Sequence, residues 1–250
     1  MLLVVDVGNT NITFGIFEND GLIEVLRLST DKNLPEKEYK SSIQTLCSKY
    51  RIKICVIGSV VDELSLKIKN ACDAIFNVNS FLIDNSINLG MKIDLKNPKE
   101  VGADRIANAY GAKNKYKLPA IVIDIGTATT FDIISKNGDF LGGIIMPGLN
   151  LQFKSLYSNT SKLPQLQVNF SQKAIGKSTE DAILSGIMRG TACAIEGLIN
   201  QCELELGERV TIIATGGDSN IISEYMRRKF DYTDMFLTLE GLKMLYELNK

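Results

Sequence analysis

Two stretches of this chain repeat one another, and that repeat narrows the fold more than any other feature. Residues 3–17 read LVVDVGNTNITFGIF, and residues 121–134 read IVIDIGTATTFDII. Each is an apolar strand ending in Asp-x-Gly, then a Thr-rich turn, then a second apolar stretch. Asp6 matches Asp124 and Gly8 matches Gly126 at the same offset, while the following strands align only after a one-residue gap. A polar turn follows in each copy (18–21 and 136–139), with a third apolar segment beyond (22–28 and 140–145). Each half is therefore expected to open as a three-strand antiparallel meander.

A weaker echo follows. A strand over 55–61 ends in Gly-Ser-Val-Val before Asp62, and a strand over 210–214 leads into Thr-Gly-Gly before Asp218. Helical patterns cover 36–49, 63–72, 97–116, 179–206, 219–229 and 239–248. The third opens on Asn97-Pro98, a cap followed by proline at the first helical position. Two copies of a β-rich and then α/β unit predict an α/β protein of two similar lobes. The boundary falls in the polar stretch 115–119, which gives lobes 1–116 and 117–250, with the last helix free to pack back on the first lobe.

Bulk properties remove several function classes. The chain has 250 residues, long enough for a substantial core. With 45% hydrophobic and 23% charged residues it reads as globular, not disordered. A net charge of −1, with Lys and Arg scattered, gives no electrostatic case for nucleic acid or anionic lipid. The N-terminal MLLVVDVGNTN has a short apolar run without a basic leader and reads as a buried strand. No window is expected to be long and apolar enough to span a membrane. Five widely spaced cysteines without a CxxC pair suit reduced thiols in the cytoplasm. The chain contains no histidine, so acid–base work falls to Asp, Glu, Lys, Tyr or Cys.

The repeated turns are the first candidate site. An aspartate at the end of a buried strand is costly unless paired or metal-bound. Gly8 permits a tight turn or close approach of a ligand. Asn9, Thr10 and Asn11 add donors and backbone N–H groups of the kind that cradle phosphates. One such turn alone would be an ordinary β-turn; two at corresponding points, expected to face each other across a cleft, favour phosphate binding. The second copy adds three hydroxyls to Asp124, an oxygen-rich set suited to terminal phosphates and a hard cation. Thr127 is the expected phosphate contact.

Other segments keep two readings. Gly176-Lys177-Ser178 looks like the end of a P-loop, but the pattern requires glycine where Ser171 stands. Ser178 and Thr179 are expected to start a helix instead, with Asp181 in its first turn. Thr215-Gly216-Gly217 suits either adenosine packing or a plain strand-to-helix turn. Asp104-Arg105, near a helix start, suits either a proton acceptor with a carboxylate clamp or a solvated ion pair.

Taken in order, DVGNTN (6–11), EVGADRIANA (100–109), DIGTATTFD (124–132), GGIIMPGL (142–149), IGKST (175–179) and TGGD (215–218) resemble the type III pantothenate kinase family over almost the whole chain. That family belongs to the acetate and sugar kinase, Hsp70 and actin superfamily, and the resemblance implies duplicated ribonuclease H-like lobes with a nucleotide cleft between them. It implies ATP contacts at Asp6, Val7, Gly8, Asn9, Thr10, Asn11, Ile12, Thr13 and Thr127. It implies pantothenate contacts at Gly102, Ala103, Asp104, Arg105 and Thr179, with Asp104 as proton acceptor, which favours the functional reading of that dipeptide. It implies Asp124 as the ligand of a monovalent cation (K+ or NH4+), Mg2+ with ATP, a homodimer whose interface completes the substrate site, and the first step of coenzyme A synthesis in the cytoplasm. One departure stands out: Leu95 occupies a position where many members have a substrate-contacting tyrosine. The alternatives are a nucleotide-binding regulator of the same fold without kinase activity, and a kinase of another small hydroxy acid.

Overall fold

The computed structural model describes residues 1–84 and 86–250. The first half runs β1 (Leu2–Val7), β2 (Asn11–Glu18), β3 (Gly21–Ser29), α1 (Glu36–Cys47), β4 (Ile54–Ser59), α2 (Asp62–Phe76), β5 (Phe81–Ile83) and α3 (Ala103–Lys115). The second runs β6 (Ala120–Ile125), β7 (Ala128–Ile134), β8 (Phe140–Pro147), α4 (Leu149–Asn159), α5 (Thr179–Leu206), β9 (Thr211–Thr215), α6 (Ser219–Ser223), β10 (Tyr232–Thr233) and α7 (Leu237–Asn249). The chain forms two compact units, one of Met1–Asn114 with Phe236–Lys250, the other of Lys115–Met235.

The repeat becomes a repeated sheet. The first unit's strands lie in the order β3-β2-β1-β4-β5 and the second unit's in the order β10-β9-β6-β7-β8, the same arrangement read from the opposite edge. In each, three antiparallel strands form the predicted meander, and the first strand also pairs in parallel with one that arrives after a helix. The alternation that the sequence displays sorts side chains by face. In the first unit Leu3, Val5 and Val7 of β1 pack with Tyr39 and Ile43 of α1 and Leu64 and Ile68 of α2. Helix α7 packs against β1, β4 and β5. Phe14, Phe17 and Tyr39 are each at most 1% exposed, and burying side chains of that size stabilises the fold by roughly 1.5–3 kcal/mol each.

The second core sits between β6–β7 and α4–α5. Ile121, Ile123, Phe131 and Ile133 meet Leu149, Phe153, Ile187, Met188, Ile195 and Ile199. This corrects one expectation: α5, with 28 residues, is long and apolar enough by length and composition to cross a membrane. Its apolar residues have a different cause, because one whole face of the helix is core of the second unit. Ser178 caps it as expected, accepting from Asp181 N at 3.1 Å.

Two predicted helices are shorter than their patterns. The 97–116 pattern divides into a single 3-10 turn, Pro98–Glu100, and α3, because Val101 is extended and buried and Gly102 departs from the helix. Asn97 provides no side-chain cap; its amide donates to Glu100 Oε1 at 2.7 Å instead. The 219–229 pattern stops at Ser223, where Glu196 Oε1 takes the amides of Arg227 (2.6 Å) and Arg228 (2.7 Å) and draws the chain out of the helix.

Glu203 ties the end of α5 to this region. Both its oxygens accept from the Arg228 guanidinium (2.7 and 2.8 Å), and Oε1 also accepts from Val210 N at 3.1 Å. The Arg228 hydrogen bonds hold the Glu203 carboxyl below its usual range, and the Glu203 side chain is only 11% exposed. A depressed carboxylate contributes stability that is present above its unfolded pKa and lost as pH falls through the folded one. The melting temperature should therefore drop as pH is lowered below about 4.3, the ordinary glutamate value. That drop should be smaller in Glu203→Gln, itself less stable at pH 7; parallel pH profiles for the two proteins would remove Glu203 from this role.

Candidate active site

In the first unit the Asp-x-Gly turn joins β1 to β2. Asp6 lies opposite Thr13 across the hairpin, and Val7 lies opposite Ile12. Gly8 N donates to Asn11 O at 3.0 Å, and a Cβ on Gly8 would stand 3.0 Å from that same oxygen. Asn9, Thr10 and Asn11 are exposed. Val7 and Ile12 are fully buried in the core, so their side chains are committed to packing and only their main chain faces the turn.

The carboxyl end of β1 is also where Gly102–Arg105 arrives. Val60 N, just past β4, donates to Val7 O at 3.1 Å. A Cβ on Gly102 would meet Val60 Cγ1 at 2.9 Å and Asp104 Oδ1 at 2.7 Å, so a side chain there would displace the Asp104 carboxylate or Val60. Gly102 O accepts the first helical bond of α3, from Ile106 N at 3.1 Å. Asp104 is thereby fixed in the first turn of α3, half-buried, with Oδ1 accepting from Arg105 N at 2.7 Å. Burial pushes its carboxyl above the usual aspartate range, against the opposing pull of the Arg105 amide and charge. Loops beyond the carboxyl ends of parallel strands are the general location of ligand sites in α/β sheets. Leu95 is half-buried in the loop before α3.

In the second unit Asp124 lies opposite Thr130 on β7 and Thr215 on β9. Gly126 N donates to Ala128 O at 3.0 Å, one residue tighter than the first turn, which is the gap seen in the sequence echo. Two further segments close on this turn. Gly148 N donates to Thr127 O at 3.1 Å, and a Cβ at 148 would lie 2.0 Å from Gly126 O. Gly216, at φ +86°, packs so closely that a Cβ would lie 2.4 Å from Asp124 Oδ1, and Asp218 N donates to Ile125 O at 3.0 Å. Burial raises the Asp218 carboxyl.

The first unit thus gathers Asp6–Thr13 with Gly102–Arg105, and the second gathers Asp124 and Thr127 with the Thr215–Asp218 turn. The contacts that build the second group do not include Thr179, the exposed first residue of α5. Asp132 is fully buried in β7. Sequence reasoning assigned no role to Gly148 or Thr30, and left Gly216 open between adenosine packing and a strand-to-helix turn. The signal available for Gly148 and Thr30 was the repeat itself, since each is the first residue after the third strand of its meander.

Comparisons with known proteins identify the family and the fold. The sequence model of the type III pantothenate kinase family matches residues 2–201. A type III pantothenate kinase from an Exiguobacterium species is 38% identical over 255 aligned residues, covering 100% of both chains. One from Bacillus cytotoxicus is 37% identical over 254, covering 100% of this chain and 97% of its own. Among solved structures, a Baf-family transcriptional activator from Campylobacter jejuni superposes with a TM-score of 0.64 at 24% identity, covering 98% of both chains. A ROK-family glucokinase from Streptomyces griseus, bound to glucose and AMPPNP, gives 0.56 at 14% identity, covering 97% of this chain and 98% of its own. At such identities the structural likeness establishes the fold alone, a pair of duplicated α/β units of ribonuclease H-like type. With the family model covering most of the sequence and relatives aligned from end to end, this chain belongs to the type III pantothenate kinase family.

Proposed function

We propose that this chain transfers the γ-phosphate of ATP to the primary hydroxyl of pantothenate, giving 4′-phosphopantothenate in the first step of coenzyme A biosynthesis in the cytoplasm. The observation that carries the reading is Asp104, a partly desolvated carboxylate in the first turn of α3, oriented by the Arg105 amide and packed against Gly102. Its raised pKa makes it a stronger proton acceptor than an exposed aspartate.

Each group of residues has a defined task. Asp6, Val7, Gly8, Asn9, Thr10, Asn11, Ile12 and Thr13 bind ATP, Val7 and Ile12 through their main chain, and Thr127 adds a hydroxyl contact. Mg2+ enters with ATP as part of the substrate. Gly102, Ala103, Arg105 and Thr179 bind pantothenate, with Arg105 on its carboxylate or a neighbouring oxygen. Asp104 takes the hydroxyl proton as the oxygen attacks in line. Phosphoryl transfer depends chiefly on such positioning and on charge stabilisation.

The surroundings of Asp124 suit a monovalent cation. Glycine backbone at 216 replaces any side chain beside Oδ1, leaving a carboxylate flanked by main chain, and oxygen donors of this kind suit hard cations. Asp124 would hold K+ or NH4+ there, supplying positive charge near the phosphates. The exposed face of α5 supports a homodimer: a Cβ at Gly186, Gly190 or Gly197 would meet nothing within 4 Å, which leaves a flat strip for a second helix.

ATP turnover in a coupled ADP assay should require pantothenate, exceed that with other small hydroxy acids, and fall when K+ is replaced by Na+. Pantothenate-independent turnover, or none, would overturn the reading; equal rates in Na+ would remove the cation from it.

A further inference from the structure

The two Asp-x-Gly turns are braced from the same place in each unit. In the second unit the first residue after β8, Gly148, reaches both turn carbonyls: its N–H donates to Thr127 O at 3.1 Å, and its α-carbon sits so near Gly126 O that a Cβ would be 2.0 Å away. In the first unit the first residue after β3 is Thr30. Its N–H donates to Thr10 O at 3.0 Å, and its hydroxyl donates to Gly8 O at 2.7 Å. Gly8 and Gly126 are the matching glycines of the repeat. The same two points are therefore held twice, once by backbone packed directly on backbone and once by a threonine side chain spanning the gap.

We propose that Thr30 is a positioning residue for ATP, fixing the Gly8–Thr10 turn through its hydroxyl so that the turn's main chain is set to receive phosphates. This rests on the reading of Asp6–Thr13 as the ATP loop. Within the turn itself Asn9 and Thr10 are exposed and Gly8 N donates to Asn11 O, whereas Thr30 reaches it from a separate strand end. A carbonyl held from behind cannot rotate its peptide, so the adjoining N–H group keeps its direction before the ligand arrives. Ordering of this kind, completed in advance, raises affinity without adding a contact to the ligand.

Thr30→Val keeps the shape and the backbone N–H but removes the donor; Thr30→Ser keeps the donor. Binding of Mg2+ with adenylyl imidodiphosphate, followed by calorimetry, should weaken about fivefold in T30V, the factor that one neutral hydrogen bond supplies. KM for ATP should rise by a similar factor while KM for pantothenate holds, and T30S should bring both ATP values to within about twofold of the parent. T30V binding the analogue as tightly as the parent overturns the proposal. So does a T30S as weak as T30V, or a T30V that loses ATP and pantothenate alike. A parent chain that fails to bind the analogue defeats the functional reading and this proposal with it, whereas a binding parent with an unchanged T30V defeats this proposal alone.

Discussion

Asp104→Asn should lower kcat by about a hundredfold or more, the usual range for removing a general base, while leaving binding of an ATP analogue within about twofold of the parent. Asparagine keeps the volume and can still accept from Arg105 N, the 2.7 Å bond that orients the side chain, but it cannot take a proton. The substitution also relieves the desolvation that raises the aspartate's pKa, so the variant should melt no lower than the parent. The pH profile gives an independent test. A base works only when ionised, so kcat/KM in the parent should fall as pH is lowered, with its midpoint above the ordinary aspartate value of about 3.9. The residual activity of D104N should lack that limb. Turnover within a few-fold of the parent, or an acid limb that survives in D104N, would take Asp104 out of the base role.

Gly241→Ala should be the most damaging single-methyl change within the first unit. Helix α7 crosses α3 at this glycine, and a Cβ there would lie 2.0 Å from Ala107 O and 2.6 Å from its carbonyl carbon. Both obstacles are backbone, so no rotamer change relieves the clash. The helices cannot simply separate either. Leu242 covers Gly58 of β4, where an added Cβ would be 2.5 Å from its Cδ2. Thr238 Oγ1 donates to the buried Asn108 Oδ1 at 2.8 Å, and Lys243 Nζ reaches Asp20 in the β2–β3 turn at 3.1 Å. Overpacking typically costs about 1–3 kcal/mol, and a rigid obstacle places this site at the upper end. For a chain of this size that corresponds to a fall in melting temperature of roughly 6–12 °C. Thermal unfolding of G241A within a degree of the parent would mean that the α3–α7 crossing is looser than these distances imply.

The same crossing separates what could be read from the sequence from what could not. The meanders, the fourth strands and the helix at 179–206 were legible because alternation and helical spacing are local patterns. The turns at Asp6 and Asp124 were legible because the chain writes them twice. Misjudged were the lengths of two helices and the character of α5. In each case the deciding contact is tertiary: Val101 leaves helical geometry and is buried, Glu196 captures the amides of Arg227 and Arg228, and a whole face of α5 serves as core.

The sequence by itself determined the repeated α/β architecture and which polar residues stand at strand ends, since periodicity and turn chemistry act between near neighbours. Only the tertiary structure decided what surrounds those residues. Thr30 on the Gly8 carbonyl, Gly148 and Gly216 against the Asp124 turn, and Gly102 beside a desolvated Asp104 are contacts between segments separated along the chain or set by packing in three dimensions. A glycine's necessity depends on which backbone its missing Cβ would strike, and a carboxylate's pKa on what displaces its water; neither is written in the residues beside it.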